Sequence, residues 1–184
     1  SAGTELAMTR SLSYKTVNGV AKAINSPTDS FYNASGEITD ADKLQSETYY
    51  YGSIRGDEIA HYAYNMRLST TSVRNVSVYY YDDKTADQDG VTSDTKMNMS
   101  KTFKTGSFDS IVDIGEAGTP NLQSTTYYQG DKGDEVSDYS LNYQVGTSTI
   151  KNTSVFVYGD TFLRAISAGT ELAMTRSLSY KTVN

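Results

Sequence analysis

The sequence predicts an all-β protein built from tandem repeats. Three observations lead to this fold class. Several short segments alternate apolar and polar residues with the period of a strand. The 184 residues include 16 tyrosines and 46 serines and threonines, residue types that favour strands over helices. Residues 1–18 recur without a change as residues 167–184.

Most of the alternating segments are 5–10 residues long, which suits a β-meander. They fall into matching pairs and one further strand, Glu58–Met66: Thr4–Lys15 with Thr95–Phe103, Glu47–Tyr51 with Thr125–Tyr128, and Val76–Tyr81 with Thr153–Tyr158. Strict alternation in Glu58–Met66 places His61 on one face with Ile59, and Tyr62 on the other face with Ala60. Residues 52–56 and 129–133 predict hairpin loops. Residues 19–25 and 109–116 are the two segments that could form short helical turns.

The repeats predict the domain organisation. Residues 1–166 form one full period, and residues 167–184 are the start of the next. A second duplication divides the period into half-units 4–94 and 95–169, because 48–83 aligns without gaps to 125–160, with 14 of 36 positions identical. Upstream, residues 4–12 match 95–103. The half-units differ in length mainly within the turn-rich segment 25–43, which we expect to be an exposed loop.

Composition excludes several functional classes. The absence of cysteine excludes disulfides, thiolate metal sites and cysteine nucleophiles. A net charge of −6 argues against nucleic-acid partners, which need a basic face. The sequence contains no run of 18 apolar residues, so it predicts no transmembrane segment, and it does not begin with a signal peptide.

Candidate catalytic groups fail the comparison between half-units. His61, the sole histidine, aligns with Asp138, so no histidine chemistry is shared. The pair Asp57-Glu58 recurs as Asp134-Glu135, but neighbouring strand residues point to opposite faces and their carboxylates do not converge. We therefore expect no enzyme activity, no catalytic, cofactor-binding or metal-binding residues, and no cofactor.

Four further patterns have a simpler structural interpretation. Arg55-Gly56-Asp57 spells the integrin-binding tripeptide, yet its counterpart is Lys132-Gly133-Asp134, which indicates a hairpin loop. Residues 83–90 resemble part of a calcium loop, but Thr85 and Lys96 occupy the first and last ligand positions of the frame. The tyrosine runs 49–51 and 79–81 indicate cross-strand packing, with sugar stacking as the alternative. Asn-x-Ser/Thr triplets, the glycosylation pattern, begin at Asn33, Asn75, Asn98 and Asn152.

The motifs SVYYYDDKTA (77–86) and SVFVYGDTFLRA (154–165) resemble YD or RHS-type repeats, whose strands carry Tyr-Asp near a turn. More specifically, the chain resembles very long bacterial surface proteins built of tyrosine-rich tandem repeats. The Gly-Arg that usually follows Tyr-Asp is absent at Asp83-Lys84 and at Asp160-Thr161. The resemblance implies an extracellular or cell-surface location.

Repeats and resemblance together predict a structural protein of an extracellular bacterial fibre or cell-surface array. Its fold would be a β-meander forming a solenoid-like stack or a ribbon, in which neighbouring copies of the same repeat cover each other's faces. The alternatives are an adhesin stalk of tandem β-sandwich domains and an RHS-like shell of a toxin system. Contacts with a cell surface or with glycans stay open as further partners.

Overall fold

The computed structural model describes residues 6–24, 30–104, 121–169 and 171–182. They contain ten strands and one four-residue helix, in the chain order β1 (Arg10–Tyr14), β2 (Leu44–Tyr51), β3 (Ile59–Met66), β4 (Val73–Tyr81), β5 (Lys84–Thr85), β6 (Met97–Lys104), β7 (Leu122–Gln129), β8 (Val136–Tyr143), β9 (Ile150–Tyr158), α1 (Ala165–Ala168) and β10 (Met174–Lys181). The prediction of an all-β protein is confirmed.

All ten strands belong to one antiparallel sheet, which is not closed. Its order is β1-β2-β3-β4-β6-β7-β8-β9-β10, and the short β5 pairs with β4 beside this path. Neighbours in the sheet are therefore neighbours in sequence, as in a meander. The described residues form one sheet rather than the two facing sheets that a β-sandwich requires.

The strand pairing of the first half-unit recurs in the second. In β2, however, the residues that are equivalent by pairing differ by one position from those matched in the ungapped alignment of 48–83 with 125–160. Asn65 pairs with Asn75 as Asn142 pairs with Asn152, which keeps β3 and β8 in the register of that alignment. Tyr49 pairs with Tyr62 as Tyr127 pairs with Tyr139, although the alignment places Tyr49 opposite Thr126 in sequence. The difference lies in the hairpin loop, which has seven residues in 52–58 and six in 130–135.

The alignment of residues 4–12 with 95–103 also shifts. Tyr14 pairs with Leu44 as Phe103 pairs with Leu122, which makes Tyr14 the counterpart of Phe103. The sequence match had placed Leu12 there. Short hydroxyl-rich strands match each other in several registers, and the pairing with β2 and β7 selects one.

A bulge in β3 overturns the predicted faces around His61. Tyr50 pairs with Ala60 and Tyr49 with Tyr62, so His61 is the extra residue. Because Tyr49 and Tyr50 point to opposite faces, Ala60 and Tyr62 do too. Asp138 is the extra residue at the corresponding bulge of β8.

The two faces of the sheet differ in chemistry. One face, here called the hydroxyl face, carries rows of small and mostly polar side chains across the strands. One row is Ser11, Thr48, Ala63, Ser77, Thr102, Ser124, Asn142 and Asn152. Asn65 Nδ2 donates to Ser77 Oγ at 3.0 Å within this face. The opposite face, here called the tyrosine face, carries Tyr49 and Tyr62.

Buried apolar side chains form small separate clusters. Val76, Val78 and Phe103 form the cluster on the tyrosine face. The other two lie where connecting segments fold back onto the sheet: Ile59, Tyr81 and Ala86 under residues 82–96, and Tyr158, Ala165 and Ala168 at α1. The connecting segments thus cover parts of the sheet that a second sheet would cover in a β-sandwich.

One expectation for the connections is wrong. Residues 19–24 are not helical; Asn18 and Gly19 have positive φ and make a tight turn closed by the bridge between Val17 and Val20. The other candidate helical turn, 109–116, lies outside the described residues. Residues 30–43 are mostly exposed, as expected for a loop, and Phe31 packs this segment against Tyr14 with 6.0 Å between ring centroids.

The shorter second hairpin predicts a strong requirement for Gly130. A Cβ there would lie 2.5 Å from the Asp134 carbonyl oxygen, whereas a Cβ at Gly133 would meet nothing within 4 Å. Both glycines have positive φ. We expect Gly133→Ala to lower the free energy of unfolding by about 1 kcal/mol through backbone strain, and Gly130→Ala by about 3 kcal/mol because the hairpin backbone must also move. Equal urea midpoints for the two variants would contradict this expectation.

Candidate functional site

His61 is paired with a residue of the connection that follows β4. Its Nε2 lies 3.2 Å from Asp87 Oδ1, and the His61 side chain is 12% exposed. Burial lowers the pKa of His61, outweighing the attraction of Asp87. The bulge turns this side chain toward residues 82–96, so it anchors a connection.

In the second half the order is reversed, with an acid on the strand and a base on the connection. Arg164 Nε donates to Asp138 Oδ1 at 2.7 Å, and Arg164 Nη2 donates to Asp138 Oδ2. The ungapped alignment of the half-units matches Asp138 with His61, and its continuation matches Arg164 with Asp87. Asp138 is 4% exposed, so Arg164 compensates a buried carboxylate. The sequence aligned His61 with Asp138 but did not reveal their partners, which lie beyond the next strand of the chain.

The paired acids at the hairpin exits are structural latches. Glu58 accepts hydrogen bonds from the N–H groups of Met8 (2.6 Å) and Gly56 (2.8 Å). The N–H of Met8 holds the pKa of the Glu58 carboxyl below its usual value. Glu135 accepts from Met97 (3.0 Å) and Gly133 (2.9 Å) in the same way. Glu58 therefore ties the loop between β2 and β3 to the start of β1. Glu135 ties the loop between β7 and β8 to the start of β6 in the same way.

The Arg55-Gly56-Asp57 tripeptide forms an exposed turn. Asp57 N donates to the Ile54 carbonyl at 3.1 Å, and Asp134 N donates to the Asp131 carbonyl at 3.0 Å. Gly56 and Gly133 have φ of 92° and 90°. The two loops thus share one turn, and Asp57 and Asp134 occupy equivalent exposed places in it.

Two acidic residues of 83–90, Asp83 and Asp87, accept hydrogen bonds from protein donors. Asp83 Oδ1 accepts from Asn98 Nδ2 at 2.8 Å, and Asp87 Oδ1 accepts from Thr85 Oγ1 at 2.6 Å. Burial opposes ionisation, but Thr85 and His61 together hold the pKa of Asp87 below its usual value. Within the described ranges, no three His, Asp or Glu side chains gather as metal ligands would.

The asparagines of the four glycosylation triplets differ in exposure. Asn33 is exposed, and its Nδ2 donates to Glu37 Oε2 at 2.7 Å. Asn75 and Asn152 pair within the sheet, and Asn152 Oδ1 accepts from Asn142. Asn98 is half-buried beside Asp83.

The tyrosines pack against each other across strands. Tyr49 stacks on Tyr62, and Tyr127 on Tyr139, both with 4.6 Å between ring centroids. Burial raises the pKa of Tyr62 to about 12, so this phenol stays protonated at neutral pH. Tyr81 and Tyr158 each donate a hydrogen bond to the preceding bulged strand, at Ala60 O (2.8 Å) and Ser137 O (2.5 Å). These contacts give the tyrosines a packing role.

The two end strands share one sequence but have different surroundings. Leu12 and Tyr14 in β1 are half-buried, whereas the same residues in β10, Leu178 and Tyr180, are 43% and 57% exposed. The difference comes from residues 30–51, which cover β1: Tyr14 Oη donates to the Asp40 carbonyl at 3.1 Å. The exposed edge of β10 is the candidate functional surface that the geometry singles out.

No family model matches the sequence, and neither a curated protein nor a solved structure matches the chain. In the described residues, no helix is both long and apolar enough to cross a membrane.

The reversed order of acid and base in the two anchoring pairs predicts a swap that restores stability. Arg164→Ala leaves Asp138 buried and unpaired, and we expect it to lower the free energy of unfolding by about 2 kcal/mol, since the arginine is partly exposed. Arg164→Asp should lower it further by placing two carboxylates together. Adding Asp138→His to Arg164→Asp recreates the pair of the first half and should recover most of the loss in urea unfolding. A double variant as unstable as Arg164→Asp would contradict this interpretation.

His61 predicts a loss of stability in weak acid. Because its pKa is lowered on folding, the unfolded chain binds the proton more readily, and stability falls as the pH drops through the unfolded pKa of about 6.5. The fall in stability ends once the pH is below the pKa of His61 in the folded chain. In urea titrations from neutral pH to pH 5, His61→Gln should flatten this dependence. A native chain that gains stability over this range would show that the attraction of Asp87 outweighs burial.

Proposed function

We propose that this chain is a structural repeat unit of an extracellular bacterial fibre or cell-surface array, with no chemistry of its own. The observation that carries the proposal is the position of the repeated segment. Residues 174–181 pair with β9 as β6 pairs with β4: Ser177 lies opposite Phe156, and Ser100 lies opposite Tyr79. Residues 174–181, within the recurring segment, thus continue the sheet in the register already set within it.

Several contacts repeat along the chain and support a stacking unit. The glutamate latches, the tyrosine stacks and the anchoring pairs each occur once in β1–β5 and once in β6–α1. The unit repeats positions rather than side-chain chemistry, since His61–Asp87 in one half corresponds to Asp138–Arg164 in the other. Such contacts stabilise the sheet locally, which fits a protein stabilised by nearest neighbours.

The anionic charge and the surface location complete the proposal. A net charge of −6 keeps a long array soluble. The bacterial cell surface is proposed from the resemblance of residues 77–86 and 154–165 to tyrosine-rich repeats. Half-units 4–94 and 95–169 serve as the stacking modules of each 166-residue period.

A chain of consecutive periods should be a continuous rod. Eight strands of the path belong to one period, β1–β4 and β6–β9, and neighbouring strands lie about 4.8 Å apart. Each added period should therefore lengthen the rod by up to about 38 Å. We expect electron microscopy and small-angle scattering of a chain with three periods, followed by residues 167–184, to show uniform width and this increment over the 184-residue chain. Separate beads would favour β-sandwich domains, and a hollow particle an RHS-like shell.

A further inference from the structure

The strand sequence RSLSY occurs twice, and each occurrence uses a different edge. Tyr50 N donates to the Thr9 carbonyl at 2.9 Å, and Lys15 N donates to the Lys43 carbonyl at 2.8 Å. Alternate residues of an antiparallel strand point their backbone groups to the same edge. Ser11 and Ser13 therefore bond β2, and the backbone groups of Arg10, Leu12 and Tyr14 face the outer edge of β1.

The pattern is reversed in β10. Thr182 N donates to the Lys151 carbonyl at 3.2 Å, so Tyr180, Leu178 and Arg176 bond β9. Ser177 and Ser179 point their backbone groups to the outer edge of the sheet. The edge of β10 that faces away from β9 is thus the same edge that β1 uses to bond β2.

We infer that the outer edge of β10 is a binding site for β2 of a second copy of this unit, with β10 taking the place that β1 occupies in that copy. This inference rests on the proposed function and specifies its joint. The register follows from β1: Arg176 opposite Tyr49, Ser177 opposite Thr48 and Leu178 opposite Glu47 of the second copy.

The side-chain contacts of β1 define the chemistry of the joint. Arg10 lies 3.6 Å from Glu47 Oε1, and its guanidinium lies 4.8 Å from the centre of the Tyr49 ring. Ser11 Oγ lies 3.1 Å from Tyr50 Oη. Arg176 and Ser177 of β10 would make these contacts, and Met174 N–H would reach the Glu58 carboxylate as Met8 N–H does.

In β10, Arg176 already contacts an aromatic ring. The Arg176 guanidinium lies over Phe162 at 4.1 Å from the ring centre, on the side of β9. In the joint the same guanidinium lies between Phe162 of one copy and Tyr49 of the next. Glu47, which is 5% exposed, keeps a cationic partner when β10 replaces β1.

Matched prolines test the joint in the 184-residue chain. Ser11→Pro with Ser13→Pro removes the N–H groups that bond β2, which frees the edge of β2. Ser177→Pro with Ser179→Pro removes the same groups of β10, but these point away from β9, so its pairing with β9 is kept. Where the doubled prolines unfold the chain, Ser11→Pro alone is compared with Ser177→Pro alone.

We expect the β1 prolines to make the chain associate head to tail, with a light-scattering mass that rises from monomer to dimer and longer chains with concentration. The chain with the β10 prolines and the chain with all four should stay monomeric. A labelled peptide of residues 1–18 should bind the β1-proline chain, not the unmodified chain, and should lose binding when it carries the same two prolines.

Three outcomes would overturn the inference. Association that persists with all four prolines would place the contact elsewhere. Peptide binding equally to the unmodified chain would show that β2 is not the target, and a β1-proline chain that neither associates nor binds the peptide would show that β2 does not accept the strand. If one of these outcomes were found and the three-period chain still formed a uniform rod, the proposed contact between β10 and β2 would be refuted. The proposed function would stand.

Discussion

The register of backbone hydrogen bonds between neighbouring strands is the constraint on which this structure depends. Leu44, Val76 and Val78 are the largest fully buried side chains of the described residues, so the apolar core is small. A one-residue slip would exchange the tyrosine and hydroxyl faces. Asn–Ser and Ser–Thr contacts on the hydroxyl face fit only the observed register, since short side chains reach only their nearest neighbours.

Bulges explain how the sheet acquires cover without a second layer. An extra residue in β3 and in β8 turns one titratable side chain toward the connection that follows the next strand. His61 thereby meets Asp87, and Asp138 meets Arg164. Either arrangement holds the connection in place, because the nearly buried side chain of the strand has a polar partner on the connection.

Strand identity could be predicted from the sequence, whereas bulges and partners could not. Alternation located segments that overlap β1–β4, β6, β7 and β9, because half-buried strands need one apolar face. It failed at Ala60 and Tyr62, since a bulge leaves no mark in composition. The latch between Glu58 and Met8 joins distant parts of the chain, so only the folded sheet reveals why the acid recurs beside Gly56 and Gly133.

The end strands demonstrate that burial in this protein is a property of neighbours rather than of sequence. Leu12 and Leu178 are the same residue in the same segment, yet Leu12 is more buried because residues 30–51 lie beside it. In β1, Arg10 lies beside Glu47, and the N–H of Met8 donates to Glu58. The copies of these two residues in β10 are Arg176 and Met174. In the proposed joint, the pair of Arg176 with Glu47 would favour this edge over a strand that brings a second carboxylate to Glu47. The same segment can then end one unit and begin the next without becoming a general site of aggregation.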